Sequence, residues 1–192
     1  MAPGDALLTV VIKSLLLCPM SYSIRKVGLA DLLHLQTIGR QTFTETFAAV
    51  NSAENLAQYL GQSFSTDKLS EELSTTASAF YFAEDDGLVI GYLKTNVGEA
   101  QTEVKDACAL EIERIYVLQQ YHGKKVGQML YEKAIEIAGQ MGKTYVWLGV
   151  WEENKRALQF YKKNGFIEFD KHIFRLGDDE QTDIMMKQEI NS

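Results

Sequence analysis

The chain has 192 residues, a formal net charge of −7, 46% hydrophobic and 23% charged residues. That length suits one domain with its own core. The acidic balance speaks against a nucleic-acid partner, because phosphate backbones call for a basic face. A cationic small molecule would suit an acidic protein, although solubility alone also accounts for the charge.

Cys18 and Cys108 form no disulfide framework. His34, His122 and His172 fall in no metal-ligand spacing, so no metal is expected. Residues 6–17 are mostly apolar but broken by Lys13. They are too short to span a bilayer, and no positive charge precedes them as in a secretory leader. Residues 1–20 are therefore expected to be an extension outside the main fold, and residues 21–192 a single cytoplasmic domain without membrane contact.

Residues 22–27 alternate like a strand. Asp31 can cap a helix reaching about Phe47, with Leu32, Leu35, Ile38 and Phe43 on one stripe. A second short helix over residues 51–62 sets Leu56, Tyr59 and Leu60 on one face. Thr66 or Asp67 can cap a third, with Leu69 and Leu73 four apart. Residues 80–83 and 88–97 read as strands around an Asp85-Asp86-Gly87 turn, a hairpin signal. A polar loop over 98–106 leads to a strand over 110–117. Residues 124–141 form a helix with Val126, Leu130, Ala134, Ile137 and Met141 at spacings of three and four. The apolar run 144–150 is a buried strand. Asn154 caps a helix to Lys163 that Gly165 ends in the left-handed conformation. Residues 166–176 and 183–187 complete the sheet. Hairpins first and a strand–helix–strand unit late predict an α+β layer fold around one sheet.

Residues 110–128, LEIERIYVLQQYHGKKVGQ, join an apolar strand, a turn with two glycines and a helix start. The unpartnered N–H groups of a helix's first turn, with its dipole, suit a phosphate. A dinucleotide fingerprint would sit early in a repeating βαβ array, and a P-loop needs GxxxxGK[ST]. Neither pattern is present.

Gln120-Tyr121-His122-Gly123-Lys124-Lys125, followed by Val126-Gly127, resembles the Q/R-x-x-G-x-G/A signature of the GNAT (GCN5-related) N-acetyltransferases, with Lys125 where Gly or Ala is usual. Asn154-x-x-Ala157-x-x-Phe160-Tyr161-x-x-x-Gly165-Phe166 matches the later N-x-x-A-x-x-F-Y-x-x-x-G-F motif of that superfamily. The likeness covers residues 21–192. The runs LEIERIYV, WLGVWEENKRALQFYKKNGF and GDDEQTD, with TFTETF and NSAEN early, are similar to PaiA-type spermidine/spermine acetyltransferases.

The resemblance implies a GNAT fold: a single mixed, mostly antiparallel sheet of about six or seven strands, flanked by helices and splayed at a parallel pair. It implies acetyl-CoA as cosubstrate. The acceptor it implies is a primary amine of a polyamine such as spermidine or spermine, which would attack the thioester directly. The chain is expected to be a monomer or a homodimer, a choice the sequence leaves open. The alternatives are acetylation of a protein N-terminus, a lysine or another small amine, or acetyl-CoA binding without catalysis.

Tyr161 would be the general acid for the leaving thiolate, although a core aromatic beside Phe160 reads the same way. A protonated amine needs a nearby carboxylate. Glu111 and Glu113 alternate with Ile112 and Arg114, so both face one side of a strand. Glu113 is then the base or amine-orienting group and Glu111 binds the cation, unless both are solvated or pair with Arg114. Ile115, Tyr116 and Val117 would bind the pantetheine arm through main-chain groups. Gln120, His122, Gly123, Lys124, Lys125, Val126, Gly127 and Gln128 would cradle the pyrophosphate. Asn154 could cap its helix or touch pantetheine, and Phe160 completes the cofactor motif. Trp147 and Trp151 read as packing, and residues 42–64 as one wall of the substrate site.

Overall fold

Seven strands and five α-helices make up the computed structural model, which describes residues 22–176 and 179–190. The expected extension over residues 1–20 lies outside the described residues. The strands are β1 (Tyr22–Lys26), β2 (Ser78–Asp85), β3 (Leu88–Val97), β4 (Ala109–Val117), β5 (Tyr145–Trp151), β6 (Ile167–Leu176) and β7 (Asp179–Glu189). The helices are α1 (Leu32–Phe47), α2 (Ala53–Ser63), α3 (Thr66–Ser74), α4 (Val126–Gln140) and α5 (Lys155–Lys163). The sheet order is β1-β2-β3-β4-β5-β7-β6. Every neighbouring pair is antiparallel except β4–β5. This is the mixed α+β sheet that the sequence predicts.

Local chemistry explains the connections. Asp86 and Gly87 both take positive φ, 48° and 82°, which suits the tight turn between β2 and β3. Ser52 caps α2 by accepting from Asn55 N at 3.1 Å. Ser65, rather than Thr66 or Asp67, caps α3 by accepting from Lys68 N at 3.2 Å. Asp31 does not cap α1 through its side chain. Its carboxylate accepts from Gly28 N at 3.0 Å and pairs through both oxygens with Arg25 at 2.9 Å, because a bidentate guanidinium outcompetes a single helix N–H. The helix α4 starts two residues later than expected, since Lys125 is left-handed. Met141 is half exposed, and Tyr131 and Ala138 help fill the core side instead.

Residues 90–96 of β3 are buried without a break, because α1 and α4 both pack on this strand. The sheet is therefore covered on both faces where the core lies. No helix among the described residues is long and apolar enough to cross a membrane.

Two irregularities of β4 position the site. Parallel pairing with β5 covers only Ala109↔Tyr145, Leu110↔Val146 and Glu111↔Trp147, after which the strands part. The β5-facing backbone groups beyond that point are left for another partner. On the other edge, Lys94 pairs with Arg114 but Thr95 pairs with Ile112. Glu113 is thus the extra residue of a β-bulge, which re-aims the side chains around it.

Candidate active site

A cleft of about 330 Å³ opens where β4 and β5 part. Phe43 and Phe47 of α1, Tyr59 of α2, Phe64 and Trp151 give it an aromatic wall. Phe43 stacks on Tyr59 at 4.4 Å, and Phe47 meets Trp151 at 5.8 Å. Glu103, Glu111, Glu113 and Asp183 bring carboxylates to the same cleft, together with Arg114 and His172. Residues 42–64, expected to wall the substrate site, contribute Phe43, Phe47, Tyr59 and Phe64 to this cleft. Trp147 is packing, 1% exposed with Nε1 donating to Gln101 at 2.7 Å, whereas Trp151 reaches the cleft.

Glu111 and Glu113 face the same side, since Asn96 Nδ2 donates to both, at 2.9 and 2.6 Å. Arg114 does not take the opposite side that regular alternation predicts. The bulge at Glu113 turns it inward, where Nη2 lies 3.1 Å from Glu113. Lys94 also pairs with Glu113 and lies 3.0 Å from Glu72 of α3, and Arg114 pairs with Glu72 at 3.1 Å. Two acids and two cations thus balance in a buried quartet. Burial alone would push Glu113 up, but the charges of Arg114 and Lys94 outweigh it and hold the carboxyl below its usual range.

Glu111 is differently held. Thr102 donates to it through N at 3.0 Å and through Oγ1, which fastens the 98–106 loop to β4. Burial pushes its pKa up against these hydrogen bonds. Lys94, Asn96 and Glu72 were not anticipated as site residues. The signal for two of them was a Lys and an Asn inside an otherwise apolar strand. Among the described residues no group of three His, Cys, Asp or Glu side chains is placed to hold a metal.

Tyr161 of α5 lines the cleft and is 7% exposed. Its ring meets Phe160 at 5.2 Å and Phe166 at 5.5 Å, both edge-on. Burial raises its pKa, so the phenol stays protonated throughout the neutral range. Asn154 Oδ1 accepts from Ala157 N at 3.1 Å, so it caps α5, and the residue also lines the cleft. Phe160 packs on Tyr131 at 6.0 Å and is not among the cleft residues. Ile115 and Tyr116 line the cleft while Val117 does not.

The remaining expected cofactor residues lie past the end of β4. Gln120, His122, Gly123, Lys124 and Lys125 are exposed, and Val126 is buried under the first turn of α4. Gly123 takes φ 78°, a left-handed turn that favours glycine. A Cβ on Gly127 would meet nothing within 4 Å, so the ground over the first turn of α4 is open. The loop is fastened on three sides. Tyr121 donates to Asp85 at 3.0 Å, and Gln119 N donates to Glu45 of α1 at 2.8 Å. His122 Nε2 lies 2.8 Å from the Val117 carbonyl, while Arg156 of α5 donates to Nδ1. These partners require the neutral tautomer with the proton on Nε2. Gln128 donates to Asn164 at 3.0 Å, which ties α4 to α5.

Lys125 takes φ 65° and ψ 6°. The left-handed region costs a residue with a Cβ about 1 kcal/mol. Lys125→Gly should therefore raise the melting temperature by roughly 3 °C. Scanning calorimetry checks this, and an unchanged or lower Tm would show that the turn is not strained.

A mostly antiparallel sheet splayed at one parallel pair, with a glycine turn entering a helix beside the splay, defines an acetyltransferase scaffold. The chain belongs to the acetyltransferase (GNAT) family, whose model matches residues 43–166, and it is an N-acetyltransferase. It is similar to an uncharacterized N-acetyltransferase in the pepI 3' region of Lactobacillus delbrueckii subsp. lactis. That relative is 42% identical over 165 residues, 86% of this chain and 95% of its own length. A spermidine N(1)-acetyltransferase of Thermoplasma acidophilum is 27% identical over 90% of this chain and 100% of its own. The crystal structure of the PaiA N-acetyltransferase from Thermoplasma acidophilum, in complex with coenzyme A, superposes with a TM-score of 0.74 at 28% identity. It covers 88% of this chain and 99% of its own.

Proposed function

We propose that the chain transfers the acetyl group of acetyl-CoA to a primary amine of a polyamine such as spermidine or spermine. The observation that carries this reading is the cleft itself, lined by aromatic rings, carboxylates and the Tyr161 phenol. Aromatic faces and carboxylates together suit an alkyl chain bearing cations. The likeness to a spermidine acetyltransferase and to a PaiA enzyme holding coenzyme A supports the same donor and acceptor.

In this reading the donor's pantetheine arm adds to the unpaired edge of β4 at Ile115, Tyr116 and Val117, with Asn154 facing it from α5. Residues 120–128 receive the pyrophosphate on the first turn of α4, with Lys124 and Lys125 adding charge. Lys125→Gly then weakens acetyl-CoA binding a few-fold while relieving backbone strain.

The amine attacks the thioester carbon, and Tyr161 hydrogen-bonds to the departing sulfur and protonates it. A carboxylate held ionised by two cations is a poor proton acceptor. Of the two roles expected for Glu113, orientation of the amine therefore fits better than that of base. Glu111 adds negative potential at the same end.

The test is CoA release by the purified protein from acetyl-CoA with spermidine, spermine, lysine and a peptide supplied separately. Turnover of spermidine or spermine is expected. Turnover of the peptide alone would replace polyamines by a protein acceptor, and acetyl-CoA binding without any transfer would remove catalysis.

A further inference from the structure

Asp183, at the cleft side of β7, ends the GDDEQTD run but lies outside the 120–127 turn, the 154–166 motif and the matched residues 43–166. It stands opposite Trp151 on β5 and opposite His172 on β6. Its Oδ2 lies 3.5 Å from where a Cβ on Gly149 would stand, so the carboxylate sits over a glycine, and both residues line the cleft. Gly149 thus places no side chain against that carboxylate from its position on β5.

The other carboxylates of the cleft are already engaged. Glu113 belongs to the charge-balanced quartet, Glu111 accepts three hydrogen bonds and is 2% exposed, and Glu103 lies 3.4 Å from His172 Nε2. Among the described residues no side chain hydrogen-bonds to the Asp183 carboxylate, whose nearest opposing charge is His172.

We propose that Asp183, together with Glu113, holds the acceptor's ammonium group in the cleft and is the group that takes its proton before attack, a role that rests on the amine acetylation proposed above. The charged groups that line the same cleft are His172 on β6, Glu103 on the 98–106 loop, and Glu111, Glu113 and Arg114 on β4, and of these His172 acts on the Asp183 carboxylate. Burial pushes its pKa up to about 6, with His172 opposing. An acid in that range is ionised at neutral pH and more basic than an ordinary carboxylate, as a general base should be.

The step balances without another reactant. The ammonium N–H bond breaks and its proton passes to an Asp183 oxygen. The freed lone pair forms the C–N bond, the C–S bond breaks, and the thiolate takes the phenolic proton of Tyr161. The proton still on the amide nitrogen returns to the tyrosinate, and Asp183 releases its own to solvent. The products are the acetamide, CoA thiol and one proton.

The experiment titrates spermidine calorimetrically into wild type and Asp183→Asn, each saturated with CoA, and repeats the kinetics with acetyl-CoA. Asn keeps the shape and loses the charge. The amine Kd should rise about tenfold or more. Turnover should fall about a hundredfold, with CoA affinity unchanged. Gly149→Ala, which covers the carboxylate, should weaken amine binding in the same direction. Equal amine affinity in Asp183→Asn and wild type would overturn the proposal, and so would a wild type that binds no amine. The polyamine reading fails in a different way, by amine binding without transfer or by transfer to a peptide alone.

Discussion

Tyr161→Phe is expected to lower kcat by about a hundredfold to a thousandfold, the usual worth of a positioned general acid. The acetyl-CoA KM should stay within about twofold of wild type, because the ring still packs on Phe160 and Phe166 when only the hydroxyl is removed. The size of the effect follows from the surroundings. Tyr161 lines the cleft, is 7% exposed, and its hydroxyl makes no hydrogen bond among the described residues. Burial keeps the phenol neutral, so its proton is available when negative charge develops on sulfur. Steady-state kinetics at saturating acetyl-CoA checks the split. A kcat equal to wild type would assign protonation of the thiolate to solvent and leave Tyr161 as packing.

Lys94→Met should lower stability by about 3 to 5 kcal/mol, the cost of stranding buried charges. Met keeps the apolar stem and deletes only the ammonium. Lys94 is 4% exposed and pairs with both Glu72 and Glu113, so its loss leaves two buried carboxylates sharing Arg114. For a chain of this size that amounts to a fall in Tm of roughly 10 °C.

Low pH should narrow the gap. Glu113 titrates below its ordinary value of 4.5 in the folded chain. Its pairing therefore contributes stability above that value and loses it as pH falls through the folded pKa. Urea unfolding at neutral and acid pH measures both effects. The double variant Lys94→Met, Glu113→Gln should recover part of the loss, since it removes one stranded acid. A single-variant loss under about 1 kcal/mol would mean that the quartet is solvated.

The elements were legible because their signals are local. Alternation marks β1, the Asp86-Gly87 turn marks β2 and β3 as a hairpin, and Asn154 and Gly165 bound α5. The strand–turn–helix over residues 110–128 was legible for the same reason, as one contiguous segment. What escaped depends on contacts between distant segments. LEIERIYV alternates evenly on paper, so nothing in it marks Glu113 as a bulge residue; the bulge appears only in its pairing with β3. Glu72 looks like a surface acid of a polar helix until α3 meets Lys94 and Arg114. Asp183 lies in a segment recognisable as a strand, but its meaning comes from Gly149 on β5 and His172 on β6. Asp31 was misjudged as a helix cap because Arg25 claims its carboxylate across a turn.

Competition between acceptors tests the central claim most directly. The purified protein is given acetyl-CoA and an equimolar mixture of spermidine, spermine and a lysine-containing peptide with a free N-terminus, and the products are read by mass spectrometry over time. Monoacetylated polyamine should accumulate first and the peptide should remain unmodified. Acetylated peptide beside untouched polyamines would contradict a cleft built for small cationic amines.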